Sequence, residues 1–275
     1  MGNIAAYFRV FLTFARNSLV RDLTFRGNFI IDAITSMAWM FLNLAFYLLV
    51  FRYTNSIGRN TGWEQYQFLV FFATSLVINA LVQAFFMTNA DELTDLIRTG
   101  GLDFILLKPI DTQFLVSLRR IEWSSLSNLV LGLVLLGYSL AHLAYVPGVV
   151  QVVLYLIYLA CGVAIYYSLM IALASSTVWM GRNLTLYDFW FYIITFSRYP
   201  MEIYTGSWGL PLQRFFTFII PVLIVVNVPA RMLVWPLEKK YWPLAAFAIL
   251  AAAASVAASR WLFQLALASY RSASS

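Results

Sequence analysis

The sequence has few charged residues. Only 11% of its 275 residues are Asp, Glu, Lys or Arg, whereas 62% are hydrophobic. A soluble globular chain is about 25% charged and roughly 45–50% apolar. So few charges cannot cover a water-facing surface of this size, and the composition therefore predicts an integral membrane protein.

Cysteine and histidine are nearly absent. The chain has one cysteine, Cys161, and one histidine, His142, so no disulfide can form within it and no Cys/His metal site can be assembled from it. Lys and Arg outnumber Asp and Glu by 18 to 12, but they are scattered singly along apolar sequence. This pattern lacks the basic stripe that a phosphate backbone needs, and we predict no nucleic acid partner.

Charge-free apolar runs predict an all-α, polytopic membrane protein with six transmembrane helices. A bilayer core about 30 Å thick needs roughly 20 apolar residues in a helix. The runs cover residues 33–51, 65–90, 123–181 and 241–259. The third run is long enough for a hairpin of two spans joined near Pro147 and Gly148, and the first of these spans is expected to begin near Gln113.

The stretch before the last span allows two interpretations. In the first, a fifth span over about 184–204 is followed by external or re-entrant helices at 205–237. In the second, 215–235 is a full crossing and the chain has seven spans. Pro221 and Pro229 interrupt this short apolar run. Irregular backbone at membrane depth is tolerated where it is buried in protein or lines a cavity, so the six-span interpretation is favoured.

The positions of Lys and Arg predict the orientation. With the N-terminus in the cytoplasm, most of the 18 Lys and Arg residues fall on the cytoplasmic side. Residues 4–25 are then expected to form a helix that lies in the cytoplasmic interface, with Arg9 and Arg16 on its polar face. The alternative for this segment is a helical leader to the first span.

A short helix is predicted at 89–101, between the second and third spans. Asn89 can cap it, and Glu92 at its third position completes a capping box. Arg98 in the last turn matches the helix dipole, and the pair Gly100-Gly101 stops the helix. A helix this short is not stable alone in water. Its apolar face should therefore dock either on its own bundle or on a partner.

Charged residues inside the predicted spans are functional candidates by default. They lie near the expected cytoplasmic boundary and are Asp32, Arg119, Arg120, Glu122 and Asp188. Structural pairing, for example of Arg119 or Arg120 with Glu122, is the favoured interpretation. The functional alternative is a charged inner vestibule.

The order of these elements and one stretch of sequence resemble a known family. The stretch reads Glu92-Leu-Thr-Asp-Leu-Ile-Arg-Thr-Gly-Gly-Leu-Asp-Phe-Ile-Leu-Leu-Lys-Pro-Ile110. With the proline-marked segments at 199–204 and 220–230, it is similar to the type-2 (ABC-2) permeases of ATP-binding-cassette exporters, especially a bacterial branch. The resemblance covers essentially the whole chain, and implies a single transmembrane permease domain over 1–275 in the bacterial plasma (inner) membrane.

The resemblance also implies partners. In that family the helix after the second span is a coupling helix that docks on a cytoplasmic ATPase subunit. The contacts implied here are Asp91, Glu92, Leu93, Asp95, Leu96, Arg98, Gly100 and Gly101. A second contact is implied around Arg9 and Arg16, and a second permease, identical or homologous, would complete a dimer surrounded by membrane lipids.

The chain has no Gly-x-x-x-x-Gly-Lys-Ser/Thr phosphate loop. We therefore expect a transport subunit that is not itself an enzyme and has no cofactor, with ATP and Mg bound by the partner ATPase. The alternative function is a proton-coupled secondary transporter that uses Asp32, Glu122 or Asp188. These carboxylates lie near one boundary rather than at the midplane, where such sites usually lie, which disfavours this alternative.

Overall fold

The computed structural model describes residues 4–24, 26–58, 61–180 and 184–270, with side chains at all of these positions except 4, 26, 28 and 184–188. The described part is helical and contains no strand. The helices are α1 (Ile4–Thr24), α2 (Arg26–Tyr53), α3 (Gln65–Val82), α4 (Thr88–Thr99), α5 (Leu102–Leu106), α6 (Thr112–Leu118), α7 (Leu126–Ala141), α8 (Val149–Met180), α9 (Leu184–Thr195), α10 (Gly206–Arg214), α11 (Leu223–Val234) and α12 (Trp242–Ser269).

Five helical runs of the described residues are long and apolar enough to cross a membrane. They are Phe29–Tyr53, Gln65–Thr99, Trp123–Ala141, Val149–Met180 and Lys239–Ser269. A sixth is present if the bent pair Gly206–Ile219 and Leu223–Val234 is one span. The predicted all-α, polytopic class is confirmed.

The region before the last span contains a short helix followed by a bent pair of helices. The predicted fifth span is a helix of only 12 residues, α9, followed by a 3-10 turn at Phe196–Arg198. The stretch 215–235 is not one straight crossing, because the helices on either side of Pro221 are bent by 88°. Proline cannot supply the amide that would continue the helix through this point.

The second span runs straight into the predicted coupling helix. A π-helical turn at Gln83–Met87 joins α3 to α4 without a loop, and the residue before α4 has helical backbone angles. The predicted capping box at Asn89 is therefore wrong, since a cap residue must have non-helical backbone angles. The predicted stop is confirmed: Gly100 adopts a φ of 75°, which glycine reaches without strain.

The third span begins later than predicted. Residues 112–118 form a separate short helix, α6, and α7 starts only at Leu126 after a 3-10 turn at Trp123–Ser125. Residues 119–125 thus interrupt the helix. Asp111 caps α6, accepting a hydrogen bond of 2.9 Å from the amide of Phe114.

Burial is uneven among the helices. All of α11 is buried, packed between α3 and α8. Gly162 of α8 permits the close approach, because a Cβ there would lie 2.9 Å from the Val225 carbonyl oxygen. By contrast, only 11% of the residues in the most apolar stretch of α2 are buried. A large part of α2 is therefore available to lipid or to a second chain.

Candidate functional site

Residues 119–125, which we call the junction, connect three parts of the molecule at the end of the bundle that carries α4. Their backbone is not helical up to Glu122, so its amide and carbonyl groups need partners from elsewhere. They find them on α1, on α4 and on the π-helical turn before α4.

Asn89 of α4 holds the junction from one side. Its side-chain amide donates to the carbonyl oxygen of Arg120 at 2.7 Å, and its side-chain oxygen accepts from the amide of Arg120 at 2.9 Å. The same side chain donates to the carbonyl of Phe85 at 2.8 Å. Asn89 is 1% exposed, so these bonds form in a dry environment where losing one is costly.

The π-helical turn provides a second attachment. The amide of Glu122 donates to the carbonyl of Ala84 at 2.8 Å. A π turn is an insertion into an α-helix and is frequent at functional sites. The Glu122 carboxylate in turn accepts from the hydroxyls of Thr88 and Ser124, at 3.1 and 3.3 Å.

Arg120 and Glu92 form an ion pair between the junction and α4. The predicted pairing of Arg119 or Arg120 with Glu122 is therefore wrong for Arg120, because α4 brings Glu92 to the guanidinium and Thr88 to Glu122. The Arg119 side chain is exposed. Glu92, predicted as a partner contact, forms this ion pair within the chain and keeps part of its side chain exposed.

Helix α1 holds the junction from the other side. The Ser18 hydroxyl accepts from the amide of Ile121 at 3.1 Å, and the Asp22 carboxylate accepts from the amide of Trp123 at 3.3 Å. The Trp123 indole donates to the carbonyl of Ala15 at 3.3 Å. The junction is thus bonded to α1 and α4 at once.

Part of the predicted charged vestibule comes together here. A cavity of about 300 Å³ is lined by Asp32, Arg120 and Glu122, with Arg21 and Asp22 beside them. Arg119 is not among its lining residues. The side chain of Asp188, the remaining predicted member, lies outside the described residues.

The predicted contact residues on α4 divide into two groups. Asp91, Asp95 and Arg98 are exposed, and the last two form an ion pair of 3.2 Å. Leu93 is 1% exposed and belongs to the core. Leu96 is half-buried, and a Cβ on Gly101 would lie 2.8 Å from its Cδ2 atom.

Sequence reasoning missed two large side chains beside α4. Phe104 and Leu107 are 74% and 81% exposed, whereas Leu102 and Ile105 of the same turn are buried. The signal was present in the sequence, since residues 102 and 105 share one face of a helix and 104 and 107 share another. Exposed aliphatic and aromatic side chains next to exposed charges are typical of an interaction surface.

Asp111 anchors the same end of the bundle. Its carboxylate receives two N–H groups of Arg260 from α12, at 3.0 and 2.5 Å, and its amide donates to the Tyr7 hydroxyl at 3.3 Å. The Arg260 guanidinium holds the pKa of the Asp111 carboxyl below its usual range. This residue joins the start of α6 to both the first and last helices.

A second cavity, of about 210 Å³, lies between α2, α3, α7 and α9. We call it the groove. Its polar lining side chains are Ser36, Asn43, Ser75, Asn79, Gln83, Asn128 and Arg198. Ser36 and Asn43 lie seven residues apart on α2 and therefore share one helical face.

Comparison with known proteins identifies one family. A family model described as ABC-2 family transporter protein matches residues 37–274. No curated protein matches the chain, and no solved structure does.

Proposed function

The chain belongs to the ABC-2 family of transporter proteins, and from that premise we propose that it forms the translocation pathway of an exporter, as a dimer, driven by a separate cytoplasmic ATPase. As a member of this family it is a multi-pass membrane permease subunit of an ABC transporter. The observation that carries the proposal is the attachment of α4 to the rest of the bundle.

The ATPase docks on the free surface of α4 and α5. That surface combines the exposed charges of Asp91, Asp95 and Arg98 with the exposed side chains of Phe104 and Leu107. Apolar anchors surrounded by charged groups give an interface both binding energy and orientation. Gly100 and Gly101 contribute by setting the turn between the two helices rather than by contact.

Movement of α4 reaches the spans by two routes. The first is the continuous helix from Gln65 to Thr99, which has no loop to absorb a displacement. The second is the junction, which is bonded to α4 through Asn89 and Glu92 and to α1 through Ser18 and Asp22. A push on α4 therefore acts on α3, α1 and α7 together.

Helix α1 supplies a second contact to the ATPase. Arg9 and Arg16 are both exposed and lie two turns apart on α1. With the N-terminus in the cytoplasm and the chain in a bacterial inner membrane, both arginines face the compartment of the ATPase, which binds ATP and Mg.

A second permease covers part of α2. Only 11% of the residues in the most apolar stretch of α2 are buried. The exposed side chains of α2 include Ile34, Phe41 and Phe46. In the dimer the groove of each copy lies against the translocation pathway. The remaining exposed surface of α2 contacts lipid.

Co-purification tests the docking surface. Asp95→Arg with Phe104→Asp should abolish recovery of the ATPase with the permease, while the amount of permease in the membrane stays unchanged. The matched control is Arg214→Glu with Trp208→Asp on α10, where a charge and an 85% exposed ring are changed in the same way. Full recovery of the ATPase with the α4 and α5 variant would show that this surface is not the docking site.

Proton-coupled transport is the second candidate, favoured by one observation. Asp32 and Glu122, which the alternative needs, line the same cavity. Transport should then stop when a protonophore is added to proteoliposomes that still contain ATP. Under the ATPase-driven proposal, transport continues with the protonophore and stops when ATP is removed.

A further inference from the structure

The groove carries polar side chains near the middle of the predicted spans, where unpaired polar groups cost free energy. Asn43 is in the second half of α2, and Asn79 lies in the middle of the Gln65–Thr99 run. Unpaired polar groups facing hydrocarbon cost several kcal/mol each, so side chains of this kind face a partner or a water-filled cavity.

The groove offers free hydrogen-bond acceptors. Asn43 and Asn79 each donate an N–H to a backbone carbonyl four residues earlier, at 2.7 and 2.8 Å, which leaves their side-chain oxygens available. The Asn128 amide donates to the Ser36 hydroxyl, and its buried oxygen has no partner among the described residues. Hydroxyl groups, which both donate and accept, can therefore bond to these oxygens and to the N–H and O–H groups of the same lining.

The described lining of the groove carries a positive charge and no negative one. Among the described residues that line it, Arg198 is the only charged one. No carboxylate of the described side chains pairs with Arg198. An exposed cation at the edge of a low-dielectric cavity attracts anions and repels cations.

The walls between these polar groups are aromatic. Trp39, Tyr47 and Phe72 line the groove, and Trp39 is 62% exposed. Such walls suit the apolar part of a molecule or the face of a sugar ring. The groove thus combines apolar contact area, acceptors at membrane depth and one cation.

We propose that the groove binds an anionic amphiphile bearing hydroxyl groups, with Arg198 as the contact for its negative group. This inference rests on the proposed role of the chain as a transport pathway and names the class of substrate. Cationic amphiphiles should bind less well, because Arg198 repels their charged group.

Cysteine labelling tests the proposal in proteoliposomes that contain the permease and its ATPase. Asn79→Cys is made in a Cys161→Ala background, since Cys161 is the only native cysteine. The introduced thiol is then treated with the anionic reagent sulfonatoethyl methanethiosulfonate or with the cationic reagent trimethylammonioethyl methanethiosulfonate. The labelling rate of each reagent is divided by its rate of reaction with a small free thiol. We expect the anionic reagent to be favoured by about threefold or more at low ionic strength.

Arg198→Gln should remove this preference, and Arg214→Gln, an exposed arginine outside the groove, should keep it. Dodecyl phosphate should slow the labelling, whereas dodecyltrimethylammonium at the same concentration should not. Equal protection by both detergents, or a preference that survives Arg198→Gln, overturns the proposal.

The failure of this inference can be told apart from failure of the proposed function. If neither reagent reaches the thiol introduced at position 79 while ATP-driven transport persists, the groove is not the pathway but the exporter assignment stands. If transport requires no ATPase, the exporter assignment fails whatever the groove binds.

Discussion

The side-chain amide of Asn89 holds the backbone of Arg120 through two hydrogen bonds of 2.7 and 2.9 Å, one in each direction. Both atoms of the amide are used, so the arrangement fixes the position and the orientation of the junction relative to α4. A carboxamide suits this position, because it presents N–H donors and an acceptor side by side.

Asn89→Asp should destabilise the protein. The carboxylate keeps the acceptor for the Arg120 amide, but the N–H groups that reach the Arg120 and Phe85 carbonyls are lost. Leaving buried carbonyls without donors costs about 1–3 kcal/mol each. Thermal unfolding in detergent micelles, followed by tryptophan fluorescence, should show a lower midpoint. Asn55→Asp, in an exposed loop position, is the control and should leave the midpoint unchanged.

The incorrect prediction at Asn89 shows where sequence reasoning stops. Asn at a potential helix start, with Glu three residues on, is the pattern of a capping box, and α4 does end at Gly100 as predicted. Nothing in residues 83–88 breaks a helix, however, so the chain continues from α3. The amide of Asn89 is taken by Arg120, 31 residues later, and no local pattern predicts that contact.

The positions of the long apolar spans were predictable because the bilayer fixes their length and composition. The bend at Pro221 lies where the sequence predicted an interruption, whereas the junction was not predicted. The sequence predicted that Arg119, Arg120 and Glu122 lie in the early turns of a helix that begins near Gln113. In the structure, the amides of the interrupted backbone donate instead to acceptors on Ala84, Ser18 and Asp22.

The Asp111–Arg260 pair should make stability depend on pH. Arg260 lowers the pKa of Asp111 below the ordinary carboxyl value of about 4, so the pair stabilises the fold above that value. The contribution is lost as pH falls through the lowered pKa and Asp111 becomes protonated. Because both side chains reach solvent, Asp111→Asn should cost about 1 kcal/mol at neutral pH. Unfolding midpoints of the two proteins should converge in acid, and a constant gap would contradict the ion-pair account.

Gly162→Ala should separate α8 from α11. The added methyl would lie 2.9 Å from the Val225 carbonyl oxygen, closer than a Cβ contact allows, so the two helices must move apart. Overpacking of this kind costs about 1–3 kcal/mol. Gly137→Ala on α7 is the matched control, since a Cβ there meets nothing within 4 Å. Because alanine favours a helix more than glycine does, the Gly137→Ala variant should be as stable as the parent protein or slightly more stable. Similar losses of stability in both variants would mean that the close approach of α8 to α11 is not the cause.

Removing the charge of Glu202 should destabilise the opposite end of the bundle. Arg231 is only 9% exposed, forms an ion pair with Glu202, and lies over the rings of Trp235 and Tyr241. Glu202 also accepts a hydrogen bond of 2.9 Å from the Trp63 indole. Glu202→Gln leaves the buried guanidinium without its counter-charge, a change that costs about 3–5 kcal/mol. Glu202→Gln with Arg231→Met should be more stable than Glu202→Gln alone, because no unpaired charge remains. Equal losses in the single and double variants, measured as unfolding midpoints, would show that side-chain packing and not charge pairing stabilises this end.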